Sequence, residues 1–423
     1  MDVSSPSSRE SEAGGKTAPR RAAVTFVLIT VLLDMIALGI VIPVFPSLIV
    51  SFTGGDTPRA ATLFGLFGTV WALMQFLFSP MAGALSDRFG RRPVVLISNF
   101  GLGTSYLMMA MAPNLTWLFI ARVISGITAS SISAASAYIA DVTPPEKRAS
   151  AFGLIGVTFG LGFVLGPALG GVLGGIDLRL PFWVAAGLSI ANAIYGLFVL
   201  PESLAPEKRR AVAWKRANPV GSLILLRSHP ELTGLAMVHF LYTLAHNVLP
   251  TVFVLYAGYR YGWNETTVGL TMAGSGLAMM LVQGVLVKPA VARFGERRAL
   301  VMGLACAVVG FIIYGAAPRG ELFWVGIPIL ALWGLYGPSS QGLMTRRVNS
   351  SEQGELQGAL SSIMGITGMI GPGLFTVIFA HFIATGRSFI IPGAPFFMAA
   401  LLVLAAILLA WRVTRPGIAP VNP

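Results

Sequence analysis

A few polar side chains stand in apolar stretches of this chain, and they mark the chemistry open to it. Asp34 lies about twelve residues, or roughly 18 Å along a helix axis, inside the first apolar run, where Leu33 to Pro46 reads L-D-M-I-A-L-G-I-V-I-P-V-F-P. No other acid lies so deep. An ionised carboxylate at that depth costs several kcal/mol unless it meets a partner or a wet cavity, so its expected work is to hold and release a proton. Arg122, in R-V-I-S-G-I-T-A-S, either snorkels to an interface or faces another helix across the small residues Gly126, Ser130, Ser133 and Ala134. Gln75, Gln283 and Gln341 are further intramembrane hydrogen-bonding points, and Gln75 and Gln283 are expected to join Asp34, Arg122 and His239 at a proton-coupling and substrate site. His239 shares its run with Tyr242, His246 and Asn247, and is expected mainly as a neutral hydrogen-bonding group, with titration as the alternative. The sequence offers no nucleophile and base pair, no metal-ligand spacing and no phosphate loop, so an enzyme is not expected.

Charge elsewhere is rationed. Only 11% of residues are charged, against roughly a quarter in ordinary soluble domains, yet Gly83 to Pro93 reads G-A-L-S-D-R-F-G-R-R-P. Asp87, Arg88, Arg91 and Arg92 crowd that turn together with Gly83 and Gly90, between two runs each long enough to cross a bilayer.

These elements sit in a chain of 423 residues that is 55% hydrophobic, with a mean hydropathy of +0.77. An all-α membrane protein is expected, with about twelve helices near 22–50, 60–82, 94–112, 115–139, 150–174, 180–200, 231–257, 266–287, 299–317, 322–344, 355–384 and 391–413. A net charge of +12 is also common among nucleic-acid binders, but its distribution points to a membrane. Of the 29 Lys and Arg, five (Arg59, Arg179, Arg260, Arg319 and Arg387) fall in one set of alternate loops and Arg122 within a span; the rest share the other loops and the tails. That bias places both termini in the cytoplasm and makes the lipid bilayer, not nucleic acid, the partner. Residues 1–21 are polar and expected to be disordered. Cys306, the one cysteine, permits no internal disulfide.

In the fifth run, Gly162, Gly166 and Gly170 fall on one helix face, where backbones can touch, with Pro167 and Gly171 beside them. A basic connector at 201–230 then divides the chain into 22–200 and 231–413, with a short tail at 414–423. A shift of 205 positions carries Arg88-Phe89-Gly90 onto Arg293-Phe294-Gly295, Arg92 onto Arg297, Gly153 onto Gly358, and Gly166-Pro167 onto Gly371-Pro372. Two parallel six-helix bundles are expected, with a substrate site between them at mid-membrane. Ala292 replaces Asp87 in the second copy, and His239 overlays Asp34.

The turn G-x-L-x-D-R-x-G-R-R, the L-D to P-x-x-P first helix, Arg122 with Gly126, the A-D-V-T-P-P-E-K-R-A-S-A-F-G segment and the fifth-helix G-x-x-x-G-P-x-x-G-G together resemble the major facilitator superfamily. The likeness is to its twelve-helix drug:proton antiporters, and particularly to the tetracycline-resistance branch. It implies alternating access and export of a lipophilic drug or toxic compound. It further implies a proton gradient as energy source, no bound cofactor, and a monomer in the cytoplasmic (inner) membrane. It also implies that Asp87 acts on the N-terminus of the eleventh helix to close the cytoplasmic side, where an anion is favoured. Tetracycline pumps carry an acid in the third helix, a histidine in the eighth and an acid in the ninth; this chain has Ser105, Met279 and Ala307 there. A neutral or cationic lipophilic cargo, competing with a proton for Asp34, is the resulting expectation. Uptake symport or facilitated diffusion of a small metabolite is the alternative.

Overall fold

The structure is a computed structural model, describing residues 17–129, 131–209, 223, 225–228, 230–349, 352–386 and 389–414. Residues 1–16 of the tail, half of the 201–230 connector and residues 415–423 lie outside these residues; positions 17–21, expected to be disordered, are instead helical as the first turns of α1.

Helix accounts for nearly all that is described, because each run is apolar and every backbone group in a bilayer must be bonded within its own segment. α1 is Thr17–Val41 resumed as Phe45–Phe52, α2 Thr57–Phe89, α3 Arg91–Met111, α4 Leu115–Thr128 resumed as Ser131–Val142, α5 Pro145–Gly174 and α6 Leu180–Val199. α7 is Pro230–His246 resumed as Val248–Tyr261, and α10 is Gly320–Ala331 joined through a 3-10 turn to Tyr336–Thr345. α11 is Gln353–Ile383 and α12 Ala394–Val413. Glu265 to Ala316 forms one helical run of 52 residues, which reverses direction at Gly295 (φ 77°). α8 is therefore 265–294, with a π-turn at Val282–Leu286, and α9 is 296–316. Ten stretches among the described residues are long and apolar enough to span a membrane; the reversal at Gly295 and the broken α4 account for the remaining two helices.

The breaks have local causes. Pro43 and Pro46 lack the N–H groups a continuous helix needs, so α1 turns at residues 42–44 and restarts with Pro46 in its first turn. Opposite the basic turns, Asp56 accepts from Arg59 N (3.0 Å), Asn114 from Trp117 N (3.1 Å) and Asn264 from Thr267 N (2.9 Å). These N-caps start α2, α4 and α8 cleanly.

Buried clusters divide the molecule as the repeat requires. Val238, Phe311, Trp333, Tyr336 and Phe396 belong to a core built mainly from α7 to α12, whereas Phe45, Phe67, Tyr106 and Phe182 belong to one within α1 to α6. The bundles meet along α2 with α11 and α5 with α8. Lipid tails are as apolar as leucine, so small residues permitting close backbone approach hold such seams. They do so at the end opposite the basic turns. A Cβ on Gly171 would come 2.8 Å from Gly269 Cα, one on Gly68 2.9 Å from Pro372 Cβ, and Thr69 donates to Met369 O at 3.0 Å. Toward the basic end, a Cβ on Gly83, Gly153, Gly156, Gly284 or Gly354 would meet no neighbouring element within 4 Å. The halves are closed at the far end and parted at the basic end.

The repeat recurs in backbone detail. Gly90 (φ 107°, ψ 162°) and Gly295 (φ 77°, ψ 159°) share a conformation open essentially only to glycine. At Gly90 an added Cβ would also strike the carboxylate of Glu202, which accepts from Arg91 N (2.8 Å) and Arg92 N (3.3 Å). Gly295→Ala is expected to cost about 1–3 kcal/mol through strain alone, and Gly90→Ala more, read as lowered unfolding temperatures in detergent. Equal shifts would remove Glu202 from the account.

One pair is inverted between the copies. Arg91 meets Asp141 at 3.0 Å, while at the positions 205 residues on, Glu296 meets Arg346 at 2.9 Å. The bridge is kept and its polarity reversed. Exposed bridges contribute about 0.2–1 kcal/mol. Glu296→Arg or Arg346→Glu alone is therefore expected to lower the unfolding temperature slightly, and the double exchange to recover it. A double variant no better than the singles would show that the pair does not act as a bridge.

Candidate transport cavity

Between the bundles lies a cavity of about 560 Å³, lined from α2 and α4 by Trp71, Gln75, Phe76 and Arg122, and from α7 and α11 by Asn247, Thr251, Ser361 and Gly368. Its residues extend to Ser79 and Pro80 on α2 and Gly358 on α11, toward the parted end. Arg122 is held by aromatic faces, its guanidinium carbon 5.2 Å from the Phe45 ring and 4.9 Å from that of Trp71. Its Nε is buried with no hydrogen-bond partner, and no described acid forms an ion pair with it. The group does not snorkel. It is a desolvated cation at the cavity wall, stabilised by ring quadrupoles. Gln75 donates to Ala129 O (3.3 Å) at the break in α4. Two expected site residues from separate helices thus share one space.

A second cavity of about 630 Å³ lies in the second bundle and shares Asn247 and Met364 with the first. His239, Tyr242, His246, Tyr336, Ser340 and Gln341 line it. Tyr242 stacks on Tyr336 with centroids 3.7 Å apart and meets Trp333 edge-on at 4.8 Å. His239 Nδ1 and the Tyr336 hydroxyl are 3.4 Å apart, and Ser340 donates to that hydroxyl at 3.3 Å. His239 Nε2 is buried without a partner. His239 therefore belongs to a hydrogen-bonded aromatic cluster. Gln283 is exposed on the π-turn and lines neither cavity. Its expected place at the site is corrected.

Asp34 requires the larger correction. It is only 5% exposed and is not among the residues lining either cavity. It accepts from Asn192 Nδ2 on α6 at 2.9 Å, and the same amide reaches Thr30 O at 3.1 Å. The cause is the rotation of α1. Met35 and Gly39 face the α5 glycines, with a Gly166 Cβ only 2.6 Å from Gly39 Cα, and neighbouring positions on a helix point about 100° apart. Asp34 and Thr30, one turn apart, are thereby turned onto α6. Direct competition between cargo and proton for this carboxylate has no seat in this state. Tyr106 on α3, fully buried, lies within electrostatic reach of both Asp34 and Arg122. Asn99 Oδ1, Ser189 Oγ, Asn192 Oδ1 and Thr30 Oγ1 are buried without partners among the described residues, so α1, α3 and α6 carry a polar seam. Asn99, Tyr106 and Asn192 were not among the expected site residues, although amides in apolar spans are a legible signal.

The remaining motifs divide by role. Gly162, Gly166 and Gly170 all pack on α1, whereas Gly171 and the Pro167 carbonyl meet Gly269 on α8. The fifth-helix motif therefore serves both the bundle interior and the seam between bundles. In the charged turn, Arg91 bridges Asp87 (2.6 Å) and Asp141 (3.0 Å), and Arg92 donates to Leu197 O at 2.5 Å. Arg88 lies over its neighbour Phe89. No hydrogen bond or ion pair joins Asp87 to α11 among the described residues, and its side chain is 49% exposed. The implied contact with the N-terminus of the eleventh helix is absent here because the bundles are parted at that end. Ser105 and Ala307 are fully buried, and Met279 packs on Gly334; none of the three lines a cavity.

Two six-helix bundles around a shared cavity, closed at one end only, define a membrane transporter of the alternating-access kind. The chain belongs to the Major Facilitator Superfamily, whose profile matches residues 27–337 and 235–423. It is 38% identical over 361 residues to the class C tetracycline resistance protein of Escherichia coli, covering 85% of this chain and 90% of that one. It is 33% identical over 407 residues to the class E protein of the same organism, covering 94% and 97%. Among solved structures, the human organic anion transporter MFSD10 (TETRAN) superposes with a TM-score of 0.68 at 25% identity, over 93% of this chain and all of that one.

Proposed function

We propose that the protein is a proton-driven exporter of a lipophilic drug or small toxic compound, working by alternating access in the cytoplasmic membrane with both termini inside. The observation that carries this is the shared cavity, sealed at the far end by glycine contacts and open at the basic end. Positive-inside bias makes the basic end cytoplasmic, so cargo enters from within. The tetracycline resistance relatives support a drug as cargo and export as direction. No cofactor or nucleic acid has a role in this scheme, which needs only one copy of the chain.

Cargo and proton occupy different places. Cargo lies against Arg122 and Gln75, and the proton sits on Asp34, whose hydrogen bond to Asn192 it alters. The tight α1–α5 packing and the charge of Asp34 felt through Tyr106 carry that change toward the cavity, so coupling proceeds through the bundle. The test is a susceptibility panel in a pump-deficient strain, followed by transport in everted vesicles with an imposed proton gradient. Higher tolerance and gradient-driven accumulation of the same compound support export. Solute entry into right-side-out vesicles driven by an inward gradient, with no change in tolerance, would replace it with uptake.

A further inference from the structure

We propose that the cargo is an organic anion with a flat aromatic ring, its charge set against Arg122 and its ring against Tyr242, which is backed by the buried Tyr336. This deepens the transporter reading and rests on it for what the binding accomplishes. The two cavities meet at Asn247 and Met364, so one molecule can occupy both. At one side stands a guanidinium without a counter-ion, its Nε buried and unbonded. No Asp or Glu lines either space among the described residues. An uncompensated buried cation is costly, and a carboxylate or enolate supplied by cargo answers that cost through a charge-assisted bidentate pair. A cationic cargo would meet repulsion with nothing to offset it. This reverses the preference expected from a deep carboxylate, because that carboxylate is turned away onto α6.

At the other side the walls carry rings and no permanent charge. Tyr242 stacks on the buried Tyr336 at 3.7 Å, His246 lies 23° from parallel to Tyr242, and Trp333, buried behind the wall, meets Tyr242 edge-on. Such walls favour flat π-surfaces, which add about 0.5–1.5 kcal/mol per ring pair beyond the area they bury. The unbonded Nε2 of His239 and the amide of Asn247 can serve a hydroxyl or carbonyl on the ring.

Three probes of one shape separate charge from ring: 2-naphthoate, 2-naphthalenemethanol and 2-naphthylmethylammonium, titrated calorimetrically into purified protein in detergent against protein-free micelles. The expected order is naphthoate tightest, by at least about tenfold over the ammonium. Arg122→Gln should erase that preference and leave the alcohol unchanged, while Tyr242→Leu should weaken all three alike. Equal or tighter binding of the ammonium, a preference surviving Arg122→Gln, or no binding of any probe would overturn the proposal. No proton gradient is present in this measurement, so its failure leaves the export reading intact. Failure of export in vesicles would likewise leave the binding order to stand.

Discussion

Asp34→Asn is expected to insert and fold normally yet abolish gradient-driven export, taking resistance down to that of the pump-deficient host. The carboxamide keeps the size of the side chain and can still meet the Asn192 amide, but it cannot exchange a proton. What is lost is the difference between two charge states, worth about 1.5–3 kcal/mol in a hydrogen bond to a charged group. Because Asp34 does not touch the cavity in this state, Asp34→Asn should leave binding of cargo at equilibrium nearly unchanged while uncoupling transport. Asn192→Leu, which removes the partner and keeps the acid, should impair export without abolishing it and shift its pH profile. Normal export by Asp34→Asn would remove the carboxylate from the mechanism. A loss of binding as large as the loss of transport would instead place Asp34 against the cargo in another state.

The second large effect concerns the seam at the far end. Gly171 and Gly269 approach so closely that a Cβ on either would stand under 3 Å from the other's Cα, with backbone on both sides and no flexible side chain to yield. Inserting even one methyl into such a contact costs about 1–3 kcal/mol. The cost falls only on the conformation closed at that end, so it shifts the balance of states by about 5–150-fold. Gly269→Ala is expected to hold the far end open. The reporter is Thr376→Cys in a Cys306→Ser background, since Thr376 is fully buried under Gly65 at the other seam. Its labelling by an impermeant maleimide from the far side should rise at least about tenfold, and export should fall. Unchanged labelling would mean that these glycines pack the helices without setting the balance between states.

The positions of the helices, the repeat, the reversal at Gly90 and Gly295 and the identity of the charged turn were all legible in the residues, because each depends on local chemistry. Hydrophobic length sets a span, glycine alone adopts the conformation found at both turns, and proline ends the first stretch of α1. The motif glycines were also legible as a contact face, since i, i+4 spacing decides that whatever the partner. Their partners were not. Gly39 and Gly269 become meaningful only when α1 and α8 are seen to lie against α5.

The site divides on the same principle. Gln75 and Arg122 were recognisable as costly polar groups in apolar runs, and they do share a cavity. Asp34 was recognisable for the same reason and is elsewhere, because depth along a helix follows from counting residues, whereas the direction a side chain faces depends on how that helix is rotated by its neighbours. The inverted bridge of Glu296 and Arg346, the stack of Tyr242 on Tyr336 and the parting of the bundles around Asp87 likewise involve residues far apart in the chain. Amino-acid order alone determined a two-bundle membrane transporter with a rare buried acid and a rare buried base. Only the packing of helix on helix decided that the base faces the cargo space and the acid does not.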